Sequence, residues 1–258
     1  MRTALTIAGS DSSGGAGIQA DLKTFAAFGV FGTSAITAVT AQNTRGVADW
    51  LALPPALVAA QIDAVVSDLG ADATKIGMLA TADIVRQVAE RIAAHALPNV
   101  VLDTVMVAKG GARLLNDDAV EAIRVALFPH ATVITANVPE AEALTGLAIR
   151  NVDELRAAAR RLVERGARAA VVKGGHLSGP ATDVLFDGAT LTEVTAERID
   201  TRHTHGTGCT FASAIAARLA LGDDLVGAVH AAKEYVTGAI AHAPNLGHGH
   251  GPLQHFWR

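Results

Sequence analysis

The chain has little cysteine, few aromatic residues and no long uncharged hydrophobic stretch. Cys209 is its one cysteine among 258 residues, which excludes an intramolecular disulfide and a zinc site built from several cysteines. No segment reaches membrane-spanning length without a charge, and residues 1–9 contain an apolar run too short for a signal peptide. We therefore expect a cytoplasmic protein with no membrane partner.

An excess of charge of either sign is also missing. The chain has 21 lysines and arginines against 25 aspartates and glutamates, a formal net charge of −4, and no basic run. The electrostatic signature of a nucleic-acid-binding protein is therefore absent. Half of the residues are hydrophobic, which suffices for a substantial core. No repeat, linker or abrupt change in charge marks a boundary, so residues 1–258 are predicted to form a single domain.

Short runs of β-forming residues alternate with longer helical patterns, which is typical of a mostly parallel sheet covered by helices. The predicted strands are 4–8, 34–40, 74–77, 100–103, 132–135 and 169–173. The predicted helices are 18–28, 55–69, 82–95, 119–128, 152–165, 207–221 and 225–242. Two short strands around Asp187-Gly188 predict an antiparallel hairpin that ends the sheet. Because ligands of such sheets bind beyond the carboxyl ends of the strands, the loops after the six parallel strands are expected to share one crevice.

Two common nucleotide-binding motifs are incomplete or absent. The spacing Gly15-x-Gly17-x-x-Ala20 is compatible with a dinucleotide fingerprint, but the acidic residue that should hold the ribose is replaced by residues 40–44 (TAQNT), which carry no carboxylate. The dipeptide Gly-Lys, which a P-loop requires, does not occur. An NAD-dependent enzyme is disfavoured and a P-loop kinase is excluded. The first glycines either pack a helix closely against the sheet or bring backbone close to a small substrate.

A glycine-rich turn, residues 205–210 (HGTGCT), leads into a small apolar helical stretch. The first N–H groups of a helix lack helical partners, and the helix dipole adds partial positive charge, so Gly206, Thr207 and Gly208 frame a predicted phosphate site. Cys209 lies in the same field, which is expected to lower the pKa of its thiol. A phosphate site beside a possible base indicates phosphoryl transfer. Close packing of the helix and a buried, inert cysteine are the alternative.

Two further loops carry groups suited to a phosphate and its cation. Lys173 ends a predicted strand and is expected to help hold phosphates at the turn, the alternative being an exposed lysine before a flexible turn. Asn137 and Glu140 either cap and stabilise the helix that begins near Pro139, or order the water shell of Mg²⁺. The tail His248-Gly249-His250-Gly251 has no fixed geometry for a metal and is predicted to be a mobile or closing loop.

Taken together, these segments resemble the hydroxymethylpyrimidine/phosphomethylpyrimidine kinases of thiamine biosynthesis, a branch of the ribokinase-like family. The resemblance runs almost end to end and is carried by residues 5–11 (LTIAGSD), 13–24 (SGGAGIQADLKT), 40–44 (TAQNT), 74–79 (TKIGML), 101–106 (VLDTVM), 173–176 (KGGH) and 204–210 (THGTGCT). It implies a three-layer α/β/α fold without a large lid, a homodimer, and ATP and Mg²⁺ as cosubstrates. The departures are small: a variable loop, residues 110–113, and the histidine-rich tail.

The resemblance also implies the reaction and its substrate pocket. The substrate is 4-amino-5-hydroxymethyl-2-methylpyrimidine, which is phosphorylated to its monophosphate and then to its diphosphate. Gln42 matches the family's pyrimidine-binding glutamine, and a side-chain amide suits an aminopyrimidine because it offers both a donor and an acceptor. Gly9, Asp21 and Met78 match other pocket positions.

The catalytic roles combine the resemblance with the chemistry of phosphoryl transfer. Cys209 stands where related sugar kinases have an aspartate base, and would take the proton of the hydroxymethyl group. The amides of Gly206 and Gly208, together with Lys173 and Mg²⁺, would stabilise the transferring group. The second transfer attacks with an ionised phosphate oxygen and should need no base.

Three other functions remain open at this point. A pyridoxal kinase of the same family would bind a similar ring alcohol, although Gln42 and Met78 favour the pyrimidine. A ligand sensor on a kinase scaffold would bind the same molecules without turnover. A cysteine-dependent hydrolase would use Cys209 as nucleophile with His205 nearby, but would leave Lys173, Asn137 and Glu140 without a role.

Overall fold

The computed structural model describes residues 1–106 and 117–258, which form a nine-stranded sheet with helices on both faces. The strands are β1 (Thr3–Asp11), β2 (Phe31–Asn43), β3 (Gly46–Ala52), β4 (Ala73–Ile76), β5 (Val100–Asp103), β6 (Val133–Asn137), β7 (Ala170–Lys173), β8 (Ala181–Phe186) and β9 (Leu191–Ala196). The helices are α1 (Gly17–Ala27), α2 (Pro55–Asp68), α3 (Ala82–His95), α4 (Asp117–Ala122), α5 (Val138–Thr145), α6 (Val152–Glu164), α7 (Thr207–Leu221) and α8 (Leu225–Ala241). The loop 110–113 lies outside the described residues.

The strand order is β3-β2-β1-β4-β5-β6-β7-β8-β9. The six strands from β2 to β7 in this order are parallel, which confirms the predicted sheet. The hairpin predicted around Asp187-Gly188 is formed by β8 and β9. A second antiparallel strand, β3, pairs with β2 at the opposite edge and was not predicted. It lies at the rim of the sheet and is largely exposed, so its sequence lacks the buried apolar run that marks the inner strands.

Two hydrophobic cores, one on each face, give the molecule three layers. Successive residues of a strand point to opposite faces. In β5, accordingly, Val100 and Leu102 pack into the core that contains α2, α3 and α6, whereas Val101 packs into the core that contains α7 and α8. This arrangement confirms the predicted α/β/α architecture. Among the described helices, none is both long and apolar enough to cross a bilayer.

Two helical segments differ from the prediction. Residues 119–128 were predicted as one helix, whereas α4 passes into a π-helical turn (Ile123–Leu127) and a 3-10 turn (Phe128–His130). Pro129 has no N–H and cannot continue the α-helical hydrogen bonds, so the tighter turn ends the helix there. The short helix α5 was only foreseen as a helix start at Pro139. It ends at Gly146, which adopts a left-handed conformation with φ +76°.

The histidine-rich tail is packed against the body of the protein, in place of the predicted mobile or closing loop. The backbone N–H of His250 donates to the carbonyl of Thr44 at 2.7 Å, and that of His205 donates to the carbonyl of Gly251 at 3.1 Å. Further along, His255 is buried, its Nε2 lies 3.1 Å from the Thr210 hydroxyl, and its carbonyl accepts from Tyr235 at 2.7 Å. The tail therefore joins the end of β2 to the start of α7.

Burial of His255 makes the stability of the fold depend on pH. Burial lowers its pKa to about 4, whereas an unfolded histidine titrates at about 6.5. Between these values the unfolded chain binds a proton that the folded chain does not, so the free energy of unfolding should fall as the pH drops from about 6.5 to about 4. We expect His255→Gln to reduce this fall, as measured by urea unfolding at several pH values. His248→Gln, at an exposed position, is the control, and equal slopes in wild type and His255→Gln would contradict the assignment.

Candidate active site

A cavity of about 1150 Å³ lies at the carboxyl ends of the parallel strands. Strand β1 pairs with β2 on one side and with β4 on the other, which is the switch point of the sheet. The loops that follow these strands diverge at that point and leave room for a ligand. Every loop that was predicted to share a crevice contributes to the wall, through Gly9, Gln42, Met78, Asp103, Asn137 and Lys173. The predicted shared crevice is therefore confirmed.

The turn before α7 lines this cavity and requires glycine. Gly206 has φ +82°, and a Cβ there would lie 1.9 Å from the carbonyl oxygen of Gly15. Gly17 has φ +56°, and a Cβ would lie 2.3 Å from the carbonyl oxygen of Gly9. The first glycine-rich loop thus packs directly against the turn. Gly15 and Gly17 pack closely there, and Gly9 and Gly17 also line the cavity beside residues Gly206–Cys209.

Cys209 lines the cavity, is half-buried, and has a thiol of raised pKa. Burial raises this pKa to about 11, with Asp21 and Asp103 acting in the same direction. Lys75 and the N–H of Gly17, which donates to the sulfur, lower it by less. The expectation of a lowered pKa was therefore wrong, because loss of hydration outweighs the favourable charges around the thiol. Cys209 is a neutral thiol at neutral pH.

Lys173 lies at the glycine turn, as the sequence predicted. Its Nζ is 3.4 Å from the point where a Cβ on Gly208 would stand. The same Nζ donates to Oδ1 of Asp103 at 3.0 Å. Burial alone would raise the pKa of Asp103, but Lys173 and Lys75 lower it, so the carboxyl is ionised. Asp103 was missed as a site residue, although an acidic residue at the end of an apolar strand is a signal that could have found it.

A buried ion pair lies beneath the cavity. Lys75 Nζ donates to Asp21 Oδ2 at 2.8 Å, and both side chains are fully buried. Thr6 and Ser213 donate to the same carboxylate, each at 2.6 Å. Lys75 is on the cavity wall, whereas Asp21 is not. The implied pocket residue Asp21 therefore lies behind the cavity wall, where it holds Lys75. Lys75 was missed as a site residue, although a lysine inside an apolar strand is unusual.

Asn137 and Glu140 form a capping box at the start of α5, which was the alternative to a cation site. The N–H of Glu140 donates to Asn137 Oδ1 at 2.9 Å, and the N–H of Asn137 donates to Glu140 Oε2 at 2.8 Å. Both also line the cavity beside Asp103 and Lys173. Burial raises the pKa of Glu140, Lys173 opposes this effect and nearby Asp103 adds to it, which brings the pKa to about 7.

These oxygen atoms fit a hydrated Mg²⁺ better than a directly bound one. Within residues 1–106 and 117–258, no three histidine, cysteine or acidic side chains gather closely enough to hold a metal ion. The capping box also engages Oδ1 of Asn137, the one oxygen of that side chain, and Oε2 of Glu140. Mg²⁺ usually keeps several waters, and carboxylate and amide oxygens on one wall can accept hydrogen bonds from them.

The candidate pyrimidine pocket contains a polar network that sequence reasoning missed. His205 Nε2 lies 2.7 Å from Asp11 Oδ2 and 3.4 Å from the carboxamide nitrogen of Gln42. The carboxylate of Asp11 also accepts from the N–H groups of Ser13 and Ala16. Asp11 and His205 are 194 residues apart, so no local pattern could have paired them.

Beyond Lys173, the cavity wall continues onto β8 and α8. Lys233 donates to Asp183 Oδ2 at 2.8 Å, and both are buried. Asp183 Oδ1 accepts from the N–H of Gly174 at 2.9 Å, which fixes the loop that follows Lys173. Val236 and Ile240 add apolar wall. This part of the site was not foreseen. Its apolar residues Val236 and Ile240 are aliphatic, which agrees with the scarcity of aromatic residues in the chain.

An open α/β sheet, a glycine turn at a helix start and a lysine facing that turn, without a P-loop, define a phosphotransferase of the ribokinase-like class. Within that class, the chain belongs to the phosphomethylpyrimidine kinase family, whose model matches residues 11–254.

Curated relatives cover nearly the whole chain. A hydroxymethylpyrimidine/phosphomethylpyrimidine kinase of Bacillus subtilis is 50% identical, over 98% of this chain and 94% of its own length. A bifunctional thiamine biosynthesis protein of Geobacter sulfurreducens is 52% identical over 97% of this chain, and the match spans 51% of that longer protein.

Solved structures are similar along the whole fold. The ADP complex of a Bacillus subtilis pyridoxal kinase has a TM-score of 0.91 and 42% identity, covering 99% of this chain and 97% of that one. A phosphomethylpyrimidine kinase of Clostridium difficile has a TM-score of 0.83 and 42% identity, covering 93% and 100%. The ribokinase-like fold implied by the sequence is therefore confirmed.

Proposed function

We propose that residues 1–258 act as one kinase domain that transfers phosphate from ATP to 4-amino-5-hydroxymethyl-2-methylpyrimidine and then to its monophosphate. One observation carries the proposal: Gln42, the glycine turn and Lys173 line the same cavity. Family membership and relatives named for this activity, at about half identity over nearly the full chain, support it. ATP as cosubstrate is supported by the ADP complex of the similar pyridoxal kinase.

The side chains of this cavity suit the two reacting groups, the ring alcohol and the phosphoryl group. Gln42 and Met78 would hold the ring, with the hydroxymethyl group directed toward Cys209. The N–H groups of Gly208 and Cys209, free of helical partners at the start of α7, would bind the transferring phosphoryl group. Lys173 would add positive charge there, and Asp103 keeps its ammonium group in place.

Mg²⁺ would neutralise charge on the nucleotide phosphates when bound. We propose that Asn137, Glu140 and Asp103 hold it through its water shell, because these three residues present oxygen atoms on one wall of the cavity. The scarcity of cysteine is compatible with a reducing compartment, and we propose the cytoplasm, which fractionation of cells expressing the protein would test.

A pyridoxal kinase is the second candidate, because the similar Bacillus subtilis pyridoxal kinase shares 42% identity and a TM-score of 0.91 with the chain. Curated relatives at 50% and 52% identity are named for the pyrimidine substrates, which favours the first candidate. The two activities differ in one measurable respect, since a dedicated pyridoxal kinase stops after one transfer.

A coupled assay of ADP release separates the candidates. We expect ATP- and Mg²⁺-dependent ADP release with hydroxymethylpyrimidine and also with its monophosphate, and loss of both when Mg²⁺ is chelated, because the phosphate charges are then not neutralised. ADP release with pyridoxal and none with the monophosphate would favour the second candidate. No ADP release with either ring would contradict the kinase assignment.

The raised pKa of Cys209 predicts different pH profiles for the two transfers. If the thiolate takes the proton of the hydroxymethyl group, the first transfer should accelerate by about tenfold per pH unit below a thiol pKa of about 11. The second transfer should change little, because its nucleophile is already ionised. Cys209→Ser should slow the first transfer by about 10²-fold or more and the second far less.

Single-turnover rates with each substrate between pH 7 and pH 9 measure this difference. Cys209→Ala is the matched control for loss of the polar atom. Equal losses in both transfers, or parallel pH profiles, would show that Cys209 is not the base.

We propose a homodimer that buries the exposed edge of the sheet around β3. Val39 and Leu51 are neighbours across β2 and β3, and their side chains are 45% and 69% exposed. Trp50 on the same strand is 40% exposed. An exposed apolar edge strand favours association.

Leu51→Glu should give a monomer in sedimentation velocity runs, whereas Leu246→Glu, at another exposed leucine, should not. A wild-type monomer at micromolar concentration would contradict the proposal.

A further inference from the structure

The proton between His205 and Asp11 lies on the imidazole. Asp11 Oδ1 accepts from the N–H of Ser13, and Oδ2 accepts from the N–H of Ala16. Both carboxylate oxygens are therefore acceptors. His205 Nε2, which is 2.7 Å from Oδ2, must be the donor in this contact. Because that atom carries a hydrogen, it cannot accept one from a neighbouring group.

The hydrogen on Nε2 restricts the orientation of the Gln42 carboxamide, one terminal atom of which lies 3.4 Å from this Nε2. An amide NH₂ facing an imidazole N–H is repulsive, so the amide oxygen belongs on the His205 side. On the opposite side the carboxamide lies 3.2 Å from the hydroxyl of Thr40. That hydroxyl has one hydrogen and a second acceptor for it, the carbonyl of Ser10 at 3.0 Å.

Donating to Ser10 leaves the hydroxyl of Thr40 as an acceptor, so the amide nitrogen belongs on the Thr40 side. A half-turn of the carboxamide about its Cγ–Cδ bond satisfies both neighbours at once. The amide oxygen then faces His205 and the amide nitrogen faces Thr40. The edge that remains free presents an acceptor next to a donor, in one fixed direction.

We propose that His205, held by Asp11, and Thr40 are positioning residues that fix the direction of the Gln42 carboxamide and thereby select a ring with an amino donor next to a ring-nitrogen acceptor. The inference rests on the proposed function and adds the source of its specificity. An aminopyrimidine has this donor–acceptor order along one edge. The 4-oxo analogue has the same shape and the inverse order, a carbonyl next to a ring N–H. A free carboxamide would rotate to fit either ring, whereas a fixed one rejects the analogue.

Isothermal titration calorimetry with both rings tests this, using 4-amino-5-hydroxymethyl-2-methylpyrimidine and its 4-oxo analogue. We expect the wild type to prefer the amino compound by about 10²-fold or more in Kd, because a mismatched pair leaves buried polar groups unpaired. His205→Leu removes the N–H that Asp11 and the amide oxygen share, and should reduce the preference by about tenfold or more. His205→Gln keeps an N–H at similar reach and should retain most of the preference.

Thr40→Val is a second, nearly isosteric variant that does not depend on the imidazole, and it should also reduce the preference. In a Gln42→Ala background the same substitutions should leave the remaining preference unchanged, since they act through the carboxamide. Equal weakening of both ligands in His205→Leu and Thr40→Val would show a merely structural role and overturn the inference. Binding is measured without turnover, so a chain that binds both rings but releases no ADP would contradict the proposed function and not this inference.

Discussion

The candidate active-site cavity depends on close backbone contact between two glycine-rich segments. Gly206 stands against the carbonyl of Gly15, and Gly17 against the carbonyl of Gly9, at distances that leave no room for a Cβ. These contacts join the loop after β1 to the start of α7, two segments far apart in the chain. The switch point of the sheet leaves the space, and the glycines let the turn that begins α7 line it.

The charged side chains on and behind the cavity wall are arranged as ion pairs. Lys75 pairs with Asp21, and Lys173 pairs with Asp103. A buried ion pair contributes little net stability, but removal of one partner leaves a costly unpaired charge, so such pairs hold their side chains in fixed positions. The same burial keeps Cys209 protonated near neutral pH. The protein thus places a fixed ammonium group and a neutral thiol at the turn where phosphate is expected.

The shared fold does not by itself distinguish the two candidate substrates, so the polar network around Gln42 matters. A phosphomethylpyrimidine kinase and a pyridoxal kinase share the fold with it at equal identity, 42% each. The architecture alone therefore does not choose between the two rings. Under the proposed function, discrimination would come from a few polar atoms around the ring. In this chain His205 and Thr40 are the neighbours of the Gln42 carboxamide that would restrict its direction.

Local sequence patterns determined the alternation of strands and helices, the glycine turn and the lysine beside it, because strand periodicity, helix capping and backbone freedom act over a few residues. Helix α3 and strand β5 were predicted to the residue for this reason. Only the tertiary structure decided the pairing of Asp11 with His205, the place of Asp21 below the cavity, the edge strand β3 and the raised pKa of Cys209. Each of these depends on burial or on contacts between distant segments, and a local pattern records neither.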